Sequence, residues 1–398
     1  MKIVHLTDHY QPWLGYQETY LPLEQQRLGH DVQVITSNRY TYDAGSISGS
    51  RITNTGVSVE YGIKVYRLPV LVETPTNAGY IVFQGLSKTF RELAPEIVHC
   101  HGFLSITSLQ AAMNKKRVGY KLLIDNHNSF YNLYKPNTPG YIKQLKHLIY
   151  RINAATYGQY ILANADSIVA IGEPEKDFLQ WTFGKSCPDI PIIRLGADKR
   201  RFRRNSEQRN IIRHEFGWTD DNIVIGHAGT LRPTKRLDLL LQACAGLGNY
   251  RDRLRLLLIG SITSSFQAEL EKLAGEFGLS DQVQFTGHMS IEELPYYLSA
   301  LDIAVWPGDI SITAIEAMAI GLPIIAVRTT YTEHIIENHN AGLLFPGDDP
   351  LALMSSLEQI IANPSLRLNM ANNALQAVEK ELNWESIAAQ FIELYARM

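Results

Sequence analysis

The sequence lacks the features that mark disulfide-rich secreted proteins and membrane-spanning proteins. It contains only 3 cysteines among 398 residues, too few for a disulfide framework, so we expect a reducing compartment. The longest apolar run, residues 317–327, includes Gly321 and Pro323 and is much shorter than the ~20 residues of a membrane span. Met1 is followed by neither a charged segment nor a long apolar segment. We therefore expect no signal peptide, and we predict a cytoplasmic protein.

An excess of positive charge is missing as well. The chain has 37 basic and 40 acidic residues, a formal net charge of -3. This balance excludes a generally basic nucleic-acid-binding surface, so nucleic acid is not an expected partner and any anion site must be local. Apolar residues make up 45%, which is ample for the cores of two domains of ~100–200 residues each.

Short, β-branched apolar runs alternate with segments of helical periodicity in both halves of the chain. Such runs predict strands that are covered on both faces, as in parallel α/β sheets. The alternation occurs twice and therefore predicts two doubly wound domains, with ligands beyond the carboxyl ends of the strands. The predicted strands are residues 2–6, 31–36, 64–68, 97–100, 121–124, 167–171 and 190–194, then 223–226, 254–259, 283–285, 303–306, 323–327 and 342–345.

A basic run with no strand pattern, residues 199–204 (KRRFRR), marks the predicted domain boundary. We place an N-terminal domain at 1–198, a C-terminal domain at 199–382, and a helix at 383–398 that packs back toward the N-terminal domain. The basic run is either a solvated linker or a local contact with an anion or a membrane surface.

Residues 306–323 predict a strand end, a turn and a helix that starts near Ser311. Ser311 or Asp309 can cap this helix, whose unpaired amides and positive dipole end suit a phosphate or sugar hydroxyls. Glu316 lies about one turn into the helix. Its carboxylate either accepts hydrogen bonds from a ribose diol or is an acid favoured there by the helix dipole.

Residues 226–241 repeat the pattern of strand, glycine turn and helix. Lys235 at the helix entrance can meet a diphosphate as a point charge, and Arg232 can add a second cation. The alternative is a basic cap on a helix surface. A lysine at a helix N-terminus opposes the dipole, however, and a bound anion would relieve that conflict.

The first half offers weaker signals, all at strand ends. Gly15 follows the first strand in a turn that either closes over a phosphate or is a plain turn. His127 is either a hydrogen-bonding or base residue of a binding cleft, or a satisfied histidine at a strand end. The pair His99 and His101 suggests a metal, but no third ligand is evident nearby, so we expect no metal.

Residues 141–151 predict a helix with basic and apolar side chains in alternation. The helix is either interfacial, lying on a membrane surface, or a core-facing amphipathic helix with one solvated face.

In order and spacing, these segments resemble the retaining, family-4 type of glycosyltransferase with the GT-B fold. The resemblance extends over nearly the whole chain, and it implies two Rossmann-like, doubly wound parallel-sheet α/β domains that face each other across a cleft. It also implies a donor site in the C-terminal domain and most of the acceptor site in the N-terminal domain. The segments that carry it are 15–18, 28–32 (LGHDV), 99–102 (HCHG), 127, 165–169, 195–198 (LGAD), 229–235, 283–287, 316–323 and 342–348 (GLLFPGD).

The resemblance implies a retaining, metal-independent transfer of a sugar from a nucleotide-diphosphate sugar to a saccharide or lipid-linked saccharide, in surface polysaccharide or glycolipid biosynthesis. No cofactor is expected, and residues 141–151 and 199–204 are the expected contacts with the inner membrane surface. The candidate site residues are His127, Asp309 and Glu316 for catalysis, Lys235, Arg232 and Gly15 for the donor diphosphate, and Glu316, Ser311, Ile312 and Thr313 for the ribose and sugar.

Two positions depart from the family pattern. Gly308, followed by Asp309, stands where the family has the first glutamate of its Glu-x7-Glu motif, and Thr230 stands five residues before Lys235 in place of a basic residue. Two alternative functions therefore stay open. One is a GT-B-fold sugar-nucleotide epimerase, which needs acid–base residues at the sugar carbon. The other is a non-catalytic, glycosyltransferase-like binding partner.

Overall fold

A computed structural model describes residues 1–41, 49–74, 80–130, 139–184 and 187–398 of the chain. These residues form two compact units. Unit 1 comprises Met1–Leu195 and Trp384–Met398, and unit 2 comprises Gly196–Asn383.

Unit 1 alternates strands with helices. Its elements before the C-terminal segment are β1 (Lys2–Leu6), α1 (Gln17–Arg27), β2 (Asp31–Ser37), β3 (Gly56–Glu60), β4 (Ile63–Leu68), β5 (Val70–Glu73), β6 (Ile81–Phe83), α2 (Leu86–Leu93), β7 (Ile97–His101), α3 (Ile106–Val118), β8 (Lys121–Asn126), α4 (Gly140–Asn153), α5 (Gln159–Asn164), β9 (Ser167–Ala170) and α6 (Glu173–Phe183). Among the described residues, the main sheet has the order β3-β4-β2-β1-β7-β8-β9. All its neighbours are parallel except β3 and β4, and β5 pairs with β6 in a separate antiparallel ribbon.

The centre of the unit 1 sheet is fully buried, as expected of parallel strands that are covered on both faces. Val4, Val98 and Ile124 of β1, β7 and β8 are 0% exposed. Strand β1 pairs with β2 on one side and with β7 on the other. The order of the strands therefore reverses beside β1, and a doubly wound sheet binds ligands at the carboxyl ends of the strands at such a point.

Unit 2 contains a second sheet. Its elements are α7 (Ser206–Glu215), β10 (Ile223–Ala228), α8 (Leu237–Ala245), β11 (Leu254–Ile259), α9 (Ser264–Glu276), β12 (Val283–Gly287), α10 (Leu294–Ser299), β13 (Ile303–Trp306), α11 (Thr313–Ala319), β14 (Ile324–Val327), α12 (Thr330–Thr332), β15 (Gly342–Phe345), α13 (Pro350–Ala362) and α14 (Pro364–Lys380). The strand order is β12-β11-β10-β13-β14-β15, and all neighbours are parallel. The order reverses beside β10, so the carboxyl ends of β10 and β13 border the switch point of this unit.

The last helix, α15 (Trp384–Arg397), belongs to unit 1. It packs on α1, where Tyr20 stacks on Trp384 with ring centroids 5.8 Å apart. Further along, the Gln25 side-chain amide donates a hydrogen bond to the Tyr395 hydroxyl at 3.2 Å. The end of the chain therefore helps to build the interior of unit 1.

Two differences from the predicted strands have simple causes. The predicted strand at residues 190–194 is wrong: only an isolated bridge joins Ile192 to Ala170, because Pro191 has no N–H for a ladder. Strand β3 was not predicted, since it is an edge strand whose valines Val57 and Val59 are largely exposed. Among the described helices, none is long and apolar enough to cross a membrane.

Candidate functional site

The turn after β10 carries a buried cation. Lys235 ends a short 3₁₀ turn, two residues before α8, and is only 9% exposed. Its Nζ donates a hydrogen bond to the Asp309 backbone carbonyl at 2.8 Å. Burial lowers the pKa of Lys235 from 10.5 to about 8, the nearby Asp309 acts in the opposite direction, and the cation of Arg232 lowers it further. This ammonium therefore lacks a full charge partner in the described structure and suits an anionic ligand.

Gly308 lets the turn after β13 approach the lysine turn closely. A Cβ atom at Gly308 would lie 2.1 Å from the Thr234 carbonyl oxygen. The neighbouring Asp309 amide donates to that same oxygen at 3.0 Å. Glycine at this position therefore permits the close contact that brings the Asp309 carbonyl to Lys235.

The start of α11 differs from the prediction. Ser311 and Asp309 do not cap this helix, which begins at Thr313 after Ile312 with no side-chain cap. Instead, the Ser311 and Thr313 hydroxyls lie 2.7 Å apart, and Thr313 Oγ1 donates to the carbonyl of Ala228 at 2.6 Å. The predicted caps are wrong because the hydroxyls tie the turn after β13 to the end of β10.

Glu316 is buried in α11, at 3% exposure. Burial raises the pKa of this carboxyl to about 8, while Arg201 lowers it and Asp198 raises it. The Glu316 carboxyl therefore lies in an environment of low polarity. An acid that only interacts with the helix dipole would lie at the surface instead. Arg201 comes from the basic run 199–204, in which Phe202 is fully buried and Lys199 pairs with Glu379 at 2.9 Å, so the run is not a purely solvated linker.

In unit 1, His127 follows β8 and faces an ionised carboxyl. Its Nε2 lies 3.3 Å from Asp125 Oδ1, and one third of its side chain is exposed. Burial alone would lower the pKa of His127, but Asp125, aided by Glu18 and Glu175, raises it to about 9. His127 is therefore a partly exposed cation at the carboxyl edge of the sheet, able to donate hydrogen bonds to a sugar or a phosphate.

Gly15 lies near the start of α1 in the left-handed conformation, with φ of 65°. Two residues later, Gln17 Nε2 donates to Asp125 Oδ2 at 3.1 Å. The turn at Gly15 and the end of β8 therefore converge, and they bring α1 against the carboxylate beside His127.

Asp125 belongs to a buried group of polar side chains, of which the sequence indicated only His99 and His101. We name it the polar ring, because its hydrogen bonds form a closed circuit. Its members lie on β1, β7, β8, α1 and α15 and are at most 6% exposed. The contacts are Asp125 Oδ2 to His101 Nδ1 (2.7 Å), His101 Nε2 to His5 Nδ1 (2.9 Å), His5 Nε2 to Gln25 Oε1 (2.7 Å), Gln25 Nε2 to the Tyr395 hydroxyl (3.2 Å), that hydroxyl to His99 Nδ1 (2.6 Å), and His99 Nε2 to Asp125 Oδ2 (3.1 Å).

Contrary to the expectation from the sequence, further possible metal ligands lie near His99 and His101. His5 joins these two histidines, and Asp125 with His127 forms a second group around His101, each with ligand atoms within 4.8 Å of one another. In the ring, however, every imidazole nitrogen already has a hydrogen-bond partner. This arrangement fits a hydrogen-bonded network better than a cation, which would need free lone pairs.

Helix α4 contains residues 141–151 and packs on unit 1 through one face. None of its residues is buried. His147 and Tyr150 contact Trp181 and Phe178 of α6, whereas the opposite face is apolar and open to solvent. That face, which we name the α4 face, consists of Tyr141 (72% exposed), Leu145 (55%), Leu148 (55%), Ile149 (45%) and Ile152 (51%).

Two Rossmann-like units, each with charged or polar side chains at the carboxyl ends of its parallel strands, define a doubly wound class of α/β protein. Comparison with known proteins narrows the class. Residues 20–201 match the family described as Glycosyltransferase Family 4, and residues 208–377 match Glycosyl transferases group 1. The chain belongs to the family-4-like, group 1 glycosyltransferases of the GT-B fold.

A sequence relative and two solved structures illustrate the likeness. D-inositol 3-phosphate glycosyltransferase of Streptomyces bingchenggensis is 28% identical over 248 residues, which are 60% of this chain and 54% of that protein. The chain thus spans about half the length of the curated relatives it matches. Sucrose-phosphate synthase of Thermosynechococcus elongatus has a TM-score of 0.74 at 21% identity, covering 100% of this chain and 99% of that chain. HepE of Anabaena, solved in complex with UDP, has a TM-score of 0.74 at 16% identity, covering 100% of both chains.

Proposed function

We propose that the protein is a retaining glycosyltransferase that moves a sugar from a nucleotide-diphosphate sugar to a hydroxyl of a saccharide or lipid-linked saccharide. The observation that carries this proposal is the buried Lys235 ammonium at the switch point of unit 2. A diphosphate would supply the negative charge that this cation lacks, and charge stabilisation of the leaving group is the main demand of the reaction.

The other residues take roles around the diphosphate. Arg232 adds a second cation, and the chain at Gly15 contributes to phosphate binding. Glu316 accepts hydrogen bonds from the ribose, while residues 311–313 and Asp309 contact the ribose and sugar. The cations make a divalent metal unnecessary, so turnover should persist in excess chelator.

His127 is the proposed sugar-binding residue of unit 1. As a cation held by Asp125, it can donate a hydrogen bond to a sugar hydroxyl or to the acceptor while charge develops. Retention of configuration then requires the acceptor to attack the face that the diphosphate leaves.

The test is turnover by the full chain with a panel of nucleotide sugars. UDP-glucose is the first donor to try, because HepE has been solved in complex with it. We expect nucleotide diphosphate release that depends on a sugar or cyclitol acceptor, and a product with the anomeric configuration of the donor. Isomerised donor in the absence of acceptor would indicate an epimerase, and no binding of any nucleotide sugar would indicate a non-catalytic partner.

A matched pair of variants ties the activity to the site. Lys235→Met should lower kcat/KM at least tenfold, because it removes a charge-assisted contact to the leaving group. Lys272→Met, which removes a lysine with 81% of its side chain exposed on α9, should leave kcat/KM unchanged. Equal effects of the two substitutions would contradict the proposed donor site.

We also propose that the α4 face binds the surface of an anionic membrane, which would bring the enzyme to a lipid-linked acceptor. Helix α4 carries exposed basic residues, Lys143, Lys146 and Arg151, besides the exposed apolar side chains of this face. This combination is typical of interfacial helices.

Vesicle sedimentation tests the membrane contact. The wild-type chain should bind vesicles of phosphatidylglycerol and phosphatidylcholine more than pure phosphatidylcholine vesicles. The double variant Leu145→Ser/Ile149→Ser should bind at least tenfold less, because burying each apolar side chain in the membrane surface contributes up to ~1.5–3 kcal/mol. The control Leu351→Ser/Leu368→Ser removes leucines of similar exposure from unit 2, and equal losses in both double variants would refute a specific role for the α4 face.

A further inference from the structure

The polar ring allows its protons to be counted. Each of its six hydrogen bonds needs one proton between the two atoms. Asp125 as a carboxylate supplies none, whereas each neutral histidine and the tyrosine supply one. Gln25 also supplies one, because its amide turns nitrogen toward one neighbour and oxygen toward the other. With all histidines neutral, five protons are available for six hydrogen bonds.

The shortage does not depend on how the Gln25 amide is turned, an orientation that is assigned from the network. With Nε2 toward Tyr395, His5 donates to Gln25 and His101 must donate from both ring nitrogens. With the amide reversed, the direction of donation reverses around the ring, and His99 must donate from both nitrogens. Either way, one histidine is an imidazolium.

We propose that the polar ring stores one excess proton as a buried histidine imidazolium paired with the Asp125 carboxylate, and that Tyr395 and Gln25 act through this pair as positioning residues for His127. Two of the three ring histidines are neutral near pH 8 in the folded protein. Burial and the neighbouring histidines hold the pKa of His5 well below its usual range and lower that of His99 to about 4. Burial would raise the pKa of Asp125, but the charges of His101 and His127 hold it well below its usual value. When Gln25 Nε2 donates to Tyr395, His101 is the histidine that holds the excess proton.

The stored charge has a consequence at His127. Asp125 accepts from the ring through Oδ2, while its Oδ1 faces His127 and accepts from the Gly102 amide at 3.0 Å. An imidazolium on Oδ2 compensates part of the carboxylate charge. Removing it would expose His127 to the full charge of Asp125, in addition to Glu18 of α1 and Glu175 of α6, which also raise the pKa of His127.

Two substitutions change the number of imidazolium ions in the polar ring in opposite directions. Tyr395→Phe opens the ring and leaves four hydrogen bonds, which three neutral histidines and the Gln25 amide can fill without an excess proton. Gln25→Glu replaces the amide by a second carboxylate, which supplies no proton. Three neutral histidines and the tyrosine then supply four protons for six hydrogen bonds, so two histidines must be imidazolium ions. Tyr120→Phe is the matched control, since it removes another buried tyrosine hydroxyl of unit 1, bonded to the Ala111 carbonyl at 2.5 Å, outside the ring.

Nitrogen NMR of the full chain with ¹⁵N-labelled histidine counts the imidazolium ions directly. Spectra near pH 8 should show one doubly protonated histidine in the ring for the wild type and for Tyr120→Phe, none for Tyr395→Phe and two for Gln25→Glu. The signal of His127, assigned from its loss in His127→Gln, is additional. The same number of doubly protonated ring histidines in the wild type and Tyr395→Phe would overturn the proposal. If Tyr395→Phe does not fold, equal numbers in the wild type and Gln25→Glu would overturn it.

The effect on activity rests on the proposed function and is measured separately. Tyr395→Phe should move the alkaline limb of the pH profile of kcat upward by about one pH unit, whereas Tyr120→Phe should not move it. A correct proton count with no shift of the limb would refute the link from the ring to His127. Absence of turnover in the wild type would refute the proposed function and leave the NMR count as the test of the ring.

Discussion

The pH dependence of donor binding offers a direct test of the role of Lys235. The ammonium is buried, and its pKa falls from 10.5 to about 8. A bound diphosphate would return the pKa to at least its ordinary value, so binding takes up a proton whenever the free lysine is neutral. Affinity should therefore be constant below pH 8 and should fall above it. At pH 9.5 only a few per cent of the free protein carries the charge, so the loss is about 30-fold relative to pH 7.

Isothermal titration of UDP-glucose into the wild type and Lys235→Met measures this loss. The variant has no titrating group at this position and keeps only the pH dependence that the nucleotide itself contributes. The ratio of the two dissociation constants should therefore shrink by about 30-fold between pH 7 and pH 9.5. In buffers of different ionisation enthalpy, the wild type alone should take up close to one proton near pH 9. A ratio that stays constant across this range would refute the assignment of the diphosphate to Lys235.

The same substitution has an opposite effect on the free protein. The lowered pKa corresponds to a penalty of roughly 3 kcal/mol on the charged lysine in the folded state. The unfolded chain binds this proton up to pH 10.5 and the folded chain only up to about 8, so the stability of the wild type should rise with pH through this window. Lys235→Met should stabilise the ligand-free protein near pH 7 and lose this advantage above pH 10.

Three further outcomes are expected. Asp125→Asn should lower the pKa of His127 from about 9 to near or below 6.5 in an NMR titration, and an unchanged value would contradict the proposed ion pair. Gly308→Ala should cost ~1–3 kcal/mol in denaturant unfolding and weaken donor binding, since it pushes against the Thr234 carbonyl; a neutral effect on both would refute the close approach. Glu316, whose folded pKa is raised to about 8, should make the wild type lose stability relative to Glu316→Gln as pH rises from about 4.5 to 8, and parallel unfolding curves across that range would contradict its burial.

Local sequence patterns predict most of this fold because each central strand is an uninterrupted apolar run in the sequence. Strands β1, β11 and β13 begin and end at the predicted residues. The ribbon of β5 and β6 escapes prediction because its strands have only 4 and 3 residues and the middle of β5 is exposed. The misplaced cap of α11 has a different origin: Thr313 bonds across to Ala228, a partner 85 residues away that no local pattern identifies.

The candidate residues of the two units differ in the same way. Lys235 and Glu316 lie in contiguous motifs of strand, turn and helix, so the sequence indicates them directly. The polar ring is assembled from five elements, and two of its bonded members, Gln25 and Tyr395, are 370 residues apart. A charged residue at the end of an apolar strand, Asp125, is a signal that sequence analysis can use. Tyr395 carries no such signal, because a tyrosine in an amphipathic helix is ordinarily part of the core.

The energetics of unit 2 indicate that its site is complete only with a ligand. A buried, incompletely paired lysine costs roughly 3 kcal/mol, and a protein of ordinary stability, ~5–15 kcal/mol, can carry that cost without unfolding. A donor at 100 times its dissociation constant adds about 2.7 kcal/mol to the stability of the folded state, which is close to the cost of the lysine. Donor binding should therefore restore the wild type to about the stability of ligand-free Lys235→Met. Thermal unfolding of both proteins with and without UDP-glucose at that concentration measures this balance.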